Sequence, residues 1–471
     1  MRWLVRTRVG RILFALVLLG AAAICTEKYC FEPHIQLAKL SEVESTVPPQ
    51  LLEKWPRDTA AQARLLRLIG FIDSFSQKQL ASLANKTSTA LDRMYLADHL
   101  WGDERIRNVQ SLLAEGPISL PDRELGERKD EIISHRPVYE MYSQLKVMAR
   151  ALAESASVYR QFGDQKAAAR CLLIALLFQD RVQGLHGPLL QYLVASAIDG
   201  LLMHTIAAFG ADPRCSAKEC KLLLDAIEPA AAVDTDLVAS WRAEFQQEIL
   251  PRLPNPFLDL KSPSSTKNDE DATQKQDPAR TEFETTYDAI TTSRLAGNLI
   301  ATAMENAKTP LSQFSDKGER LQVDQAKGLP KPPTLDEMSS SRRRTSFFLF
   351  RLSTYRTPNY YGRVMISDMM GSRNITEVSA RSRSLHDATR VLLATRIYRS
   401  THGGALPRSK EALRSILGDW PTDPYDGKPM RYNSRNHVVY AVGSNLIDDG
   451  GNIGGSPNRV LDRGISLALH R

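Results

Sequence analysis

Four arginines, Arg2, Arg6, Arg8 and Arg11, lead into an uninterrupted apolar run from Ile12 to Cys25, and Glu27 and Lys28 end it. Cationic residues resist crossing a bilayer. The pattern therefore places the N-terminus in the cytoplasm and the rest of the chain beyond the inner (cytoplasmic) membrane. The run is shorter than the roughly 20 residues that span comfortably. Trp3, Leu4 and Val5, with snorkelling arginines beside them, would lengthen it. Residues 1–30 read as a single-pass membrane anchor, or as a signal peptide cleaved near Ala21-Ala22-Ala23; either reading is extracytoplasmic. Cys25 follows Ile24, where a lipoprotein signal has a small residue. Gly10 lacks the aromatic residue and glutamate that follow the glycine of a prepilin signal.

Composition then bounds what the exported part is. A chain of 471 residues holds two or three domains, and 42% hydrophobic with 24% charged residues is ordinary for folded protein. The net charge of +7 is modest, and much of it lies between Arg342 and Arg399. Such a run could touch nucleic acid or anionic lipid, but a solvated helix face is the simpler reading, and export removes nucleic acid as a partner. Cys215 and Cys220 are close enough in sequence for a local disulfide, while Cys171 sits on an apolar helix face. No CxxC pair or Cys/His cluster has zinc spacing.

Over 31–253 the pattern is helical. Met141, Leu145, Met148, Leu152, Ala156 and Tyr159 form one stripe, and Ala167, Cys171, Ile174 and Phe178 form a second beyond a break at Phe162-Gly163-Asp164. So short a break makes the two helices antiparallel. Leu189 to Phe209 is apolar almost all round and is expected to be buried. Tyr159, Gly163, Asp164, Ala168 and Ala175 resemble one tetratricopeptide repeat. Asp180 replaces that motif's closing proline and no second copy follows, so a tetratricopeptide-like hairpin within a helical domain is expected.

Residues 254–285 are mixed-charge and nearly free of apolar side chains, the composition of a disordered linker. Residues 286–383 carry a helical patch at Tyr287 to Ala307 and then irregular, arginine-rich sequence. From 384 to 471 the pattern changes again. A helix from about Ser384 to Ser400 stops at His402-Gly403-Gly404, and Ser409 starts a short helix through Leu417. The stretch Pro421 to Pro429 is dense in turn formers, and strands are expected at Met430–Tyr432, His437–Val442 and Ile465–Leu469.

This ending resembles the major pseudopilin of type II secretion systems. The resemblance rests on Tyr398 and the glycine turn, Leu406-Pro407, Trp420-Pro421-Thr422-Asp423-Pro424-Tyr425-Asp426-Gly427-Lys428-Pro429, Tyr432, Val439 to Gly443 and Asp448-Asp449-Gly450-Gly451. It implies a helix laid on a small antiparallel sheet, and calcium in the last loop. The whole layout is also similar to a group of bacterial envelope proteins that share an anchor, a helical middle and this ending. Two departures argue against polymerisation as a pilin: there is no prepilin signal, and the sheet motif stands far from the membrane run.

Asp448 and Asp449 carry the sharpest chemical expectation. Calcium takes six to eight oxygen ligands on a pliable backbone, and Asn445, Asn452 and Asp462 would add to the pair. The competing reading is a plain hairpin turn, since Asp and Gly favour one. Asp423 and Asp426 could form an acid/base pair but sit where aspartates cap their own turn. His402 fits a helix end, and His204, on an apolar helix, fits a core histidine. The expected architecture is mainly α: an N-terminal membrane helix, an α-helical domain and a small C-terminal α+β module. The expected role is a non-catalytic envelope protein whose helical domain binds a protein partner, with a secretion or pilus-like assembly as the concrete form of that role; the alternative is an envelope hydrolase with a site scattered through the sequence.

Overall fold

The structure, a computed structural model, describes residues 34–53, 58–75, 89–120, 138–227, 233–256, 286–331, 350, 353–354, 356–369, 371–453 and 462–467. The apolar run at 12–25 and most of the linker, 257–285, lie outside the described residues. The chain is mainly helical. Its strands and helices run β1 (His34–Gln36), α1 (Leu40–Glu44), α2 (Thr59–Ser74), α3 (Ala90–Gly102), α4 (Glu104–Ala114), α5 (Val138–Gln161), α6 (Gln165–Gln183), α7 (Leu189–Ala211), α8 (Ala217–Ala226) and α9 (Val233–Glu244). They continue as β2 (Thr286–Asp288), α10 (Ala289–Ala307), α11 (Lys317–Ala326), α12 (Tyr360–Asp368), α13 (Ser372–Thr401), α14 (Arg414–Leu417), β3 (Arg431–Asn433), β4 (Val438–Ala441) and β5 (Arg463–Ser466).

Two compact units share this chain, each assembled from separate stretches: Met1–Val47 with Arg252–Ala296 and Arg320–Met370, and Pro48–Pro251 with Gly297–Glu319 and Gly371–Arg471. In the first, β1 and β2 pair in parallel, His34 opposite Thr286. Asn359, in a left-handed conformation at φ 50°, accepts the Asp288 N–H at 2.9 Å and so seats the start of α12 beside β2. The Tyr287 hydroxyl, fully buried, donates to the Leu253 carbonyl.

The second unit is built on the α5–α6 hairpin. The predicted stripes line its core, with Leu145, Met148, Leu152, Cys171 and Phe178 buried and Ala167 and Ile174 partly so. Gly163, at φ 87°, makes the turn between the helices in a conformation that costs other residues dearly. Asp164 then caps α6 by accepting the Ala167 N–H at 2.9 Å. α7 packs on this hairpin, and α13 packs along α7 and α8. By length and composition α7 is one helix, among the described residues, that could cross a membrane, and half of its most apolar stretch is buried. The expectation that it is buried all round therefore fails: Leu190, Ala197, His204 and Ala208 are exposed, and His204 is not a core residue.

α13 extends three turns before the predicted start at Ser384. Its early buried positions are Ser372, Ile375, Thr376, Ser379 and Ala380, which keep a helical period but are mostly small or polar, so hydrophobicity alone does not reveal them. The far side of α13 carries a three-stranded antiparallel sheet in the order β3-β4-β5. Val439 sits opposite Tyr432 on one side and Ile465 on the other. A Cβ on Gly464 would lie 2.1 Å from the Val439 carbonyl oxygen, so β5 approaches β4 this closely only with glycine there.

The corner after α7 ties three helices. Asp212 accepts the Arg214 N–H and Nε–H, both at 3.0 Å, and lies 3.5 Å from Arg160 of α5. Arg396 of α13 donates to the Cys215 carbonyl at 2.9 and 3.2 Å. Cys215 and Cys220 are buried free thiols here, their sulfurs 3.1 Å apart.

Hydrogen bonding from Arg214 pulls the Asp212 carboxyl down to about 2 from an ordinary 3.8. A folded-state value below the unfolded one stabilises the fold above the unfolded value and is lost as pH falls through the folded one. Asp212→Asn is expected to remove about 2 kcal/mol of stability at neutral pH and to flatten the acid limb between about pH 4 and pH 2. Urea unfolding across that range would show it; parallel pH profiles for the two proteins would refute it.

Candidate functional site

Two neighbouring places in the second unit gather polar chemistry: the loop between β4 and β5, and the interface of α7 with α13. The loop is held from below by Arg431. Residue 431 opens β3, directly after the Pro421–Pro429 turn, and its guanidinium donates to the carboxylates of Asp423 and Asp426. Its Nε also stands 3.7 Å from Asp448.

Asp423 is fully buried and accepts the N–H groups of Tyr425 and Val442, each at 2.8 Å. Burial pushes its carboxyl up to about 6, against those bonds and the arginine. At Asp426 burial acts in the same sense but is outweighed by the Arg431 hydrogen bonds, and the net shift is down. Both aspartates are thus parts of the turn, with no partner suited to proton transfer. His402 likewise serves its helix end: it stacks on Tyr398 at 3.7 Å, and its Nδ1 lies 2.9 Å from the Tyr398 carbonyl.

The five residues read as calcium ligands lie within one loop. Asp462, buried just before β5, accepts the Asp449 N–H at 3.2 Å with one oxygen and the Gly451 N–H at 2.8 Å with the other. Asp448 accepts the Tyr440 hydroxyl at 3.0 Å and the Gly450 N–H at 2.9 Å. Asn445 donates to Asp449 at 3.1 Å, and Asn452 is exposed. Burial raises the Asp462 carboxyl, and the charges of Asp448 and Asp449 add to the rise. The donor set suits calcium in kind, being carboxylate, amide and peptide oxygen. Several of its oxygens, those of Asp462 above all, are engaged within the loop, and among the described residues no three acidic, histidine or cysteine side chains converge as a cage. Beside these groups Leu446, in a left-handed conformation at φ 58°, and Ile447 stand exposed.

Sequence reading missed the α7–α13 interface. Asp199, buried in the middle of α7, lies 3.2 Å from the Nδ1 of His386 and accepts the Ser382 hydroxyl at 2.8 Å. Ser382 and His386 are one turn apart on α13. The available signal was a single aspartate inside an otherwise apolar helix. In the familiar serine triad the histidine stands between the serine and the carboxylate. Here Ser382 and His386 both bond to Asp199, and the trio forms a polar clamp across the helix pair. Alongside it a cavity of about 470 Å³ opens between α7, α13 and β5, with Arg381, Arg463 and His204 in its walls.

Among known proteins, the chain matches no protein family, no curated protein and no solved structure.

Arg431→Gln strands the buried Asp423 carboxylate and is expected to lower stability by about 3 kcal/mol. Adding Asp423→Asn should recover a substantial part, as urea midpoints of the two variants would reveal. An additive pair of losses would mean that the arginine and the aspartate act independently.

Proposed function

We propose that this chain is a non-catalytic, membrane-anchored extracytoplasmic protein whose helical domain binds a protein partner in a secretion or pilus-like assembly. The arginine-flanked run from Ile12 to Cys25 supports the anchor and its orientation. The observation that carries partner binding is on α3, where Leu91 and Tyr95, one turn apart, are 72% and 70% exposed. The Tyr95 ring stacks with His99 a further turn on. Aliphatic and aromatic side chains repeated along one helix face are the anchors that recognition of a partner commonly uses. The alternative is an envelope hydrolase with a site scattered through the chain; Ser382, its hydroxyl turned to Asp199 and not to His386, lacks the serine-triad arrangement.

The decisive comparison is capture of the tagged full chain from native membranes after light crosslinking, beside a Leu91→Ser/Tyr95→Ser variant of unchanged melting temperature. Components of a membrane secretion or pilus-like assembly should come down with the wild type and fall about tenfold with the variant. Equal recovery from both, or none above background, would overturn the reading.

Calcium in the C-terminal loop belongs to the same proposal, with Asp448, Asp449, Asp462, Asn445 and Asn452 supplying oxygens in place of their present partners. The full chain should then melt about 3 °C higher in millimolar calcium than in chelator. Identical melting would withdraw the metal and leave partner binding standing.

A further inference from the structure

We propose that the cavity between α7, α13 and β5 binds a small organic anion: a carboxylate or phosphate head on a short aliphatic body. A volume of about 470 Å³ lies within the range of ligand pockets. Leu193, Val378, Leu385 and Ile453 give it apolar lining, and Val378 is left 38% exposed.

Two cations stand among them. Arg381 on α13 and Arg463 on β5 form no ion pair among the described residues, and the Nε of Arg463 is buried with no hydrogen-bond partner there. Glu377, one turn before Arg381, makes no ion pair with it among the described residues. Leaving a buried donor unpaired is costly, and a planar guanidinium meets a carboxylate or phosphate through two parallel bonds. The acid in the lining, Asp462, has both oxygens engaged by the backbone N–H groups of Asp449 and Gly451 and forms no ion pair with either arginine among the described residues. His204 adds a third polar group from the exposed face of an apolar helix.

Arginines without an ion-pair partner among the described residues, set beside aliphatic side chains, select a ligand with one anionic end and one apolar end. Neither kind of lining alone would do so: an ion without a body leaves the leucines wet, and an alkane leaves the guanidiniums without a counter-charge.

The test is calorimetric titration of the full chain in nanodiscs of zwitterionic lipid, with empty discs as the control. Hexanoate and butyl phosphate should bind with Kd near about 1 mM. Inorganic phosphate should bind about tenfold more weakly, and butanol should give no heat above empty discs. Arg381→Gln/Arg463→Gln should weaken both amphiphiles about tenfold with the melting curve unchanged. If that pair unfolds the protein, Arg381→Gln, an exposed position, must show the loss alone. Repeating the titration in discs containing anionic lipid separates two sources of the head group: lost binding assigns it to a lipid, and unchanged binding to a soluble anion. No heat from either amphiphile, equal binding of inorganic phosphate and butyl phosphate, or wild-type affinity in the variants would overturn the proposal.

Discussion

The packing of α13 against α7 is the contact on which the second unit depends. α13 has one flank on α7 and α8 and the other under the three-stranded sheet, so this long helix joins the sheet to the helical core. The interface is apolar along Val391, Leu392 and Leu393, yet Asp199, Ser382 and His386 lie within it, buried or nearly so. A buried carboxylate is tolerable only when its partners are in place. Sliding α13 by one turn would separate Ser382 and His386 from Asp199, so the clamp favours one register of the helix pair over its neighbours.

Much of this was legible in the sequence where hydrophobic period and turn chemistry agree. The stripe from Met141 to Tyr159, the break at Gly163 and the cap at Asp164 predict the α5–α6 hairpin, and the Pro421–Pro429 turn with its following strands predicts β3 and β4. What stayed hidden has physical reasons. The first turns of α13 bury Ser372, Thr376 and Ser379, small polar residues whose burial depends on a partner helix distant in sequence. The pairing of β1 with β2 joins residues some 250 apart, and three-residue strands leave no periodic signal. The cavity's arginines were visible as charge, but only the fold brings Arg381 and Arg463 to one cavity.

Arg431 shows how a loop rich in carboxylates is held together by the chain itself. One guanidinium reaches Asp423 and Asp426 and stands near Asp448, while Asp462 gathers the backbone of the same loop. The sequence presents those aspartates as free oxygen donors; the fold shows them already bonded. Like charges are brought together here because one planar cation and a set of peptide N–H groups are aimed at them.

The division of each unit into separated stretches has a consequence for how the protein is made. α7 is complete some 160 residues before α13 begins. At ordinary rates of synthesis that interval lasts about ten to thirty seconds. Throughout it the flank of α7 that will meet α13 has nothing to cover it, and β1 waits even longer for β2. Until α13 is made, the helical core of this unit is therefore incomplete, with one apolar flank uncovered.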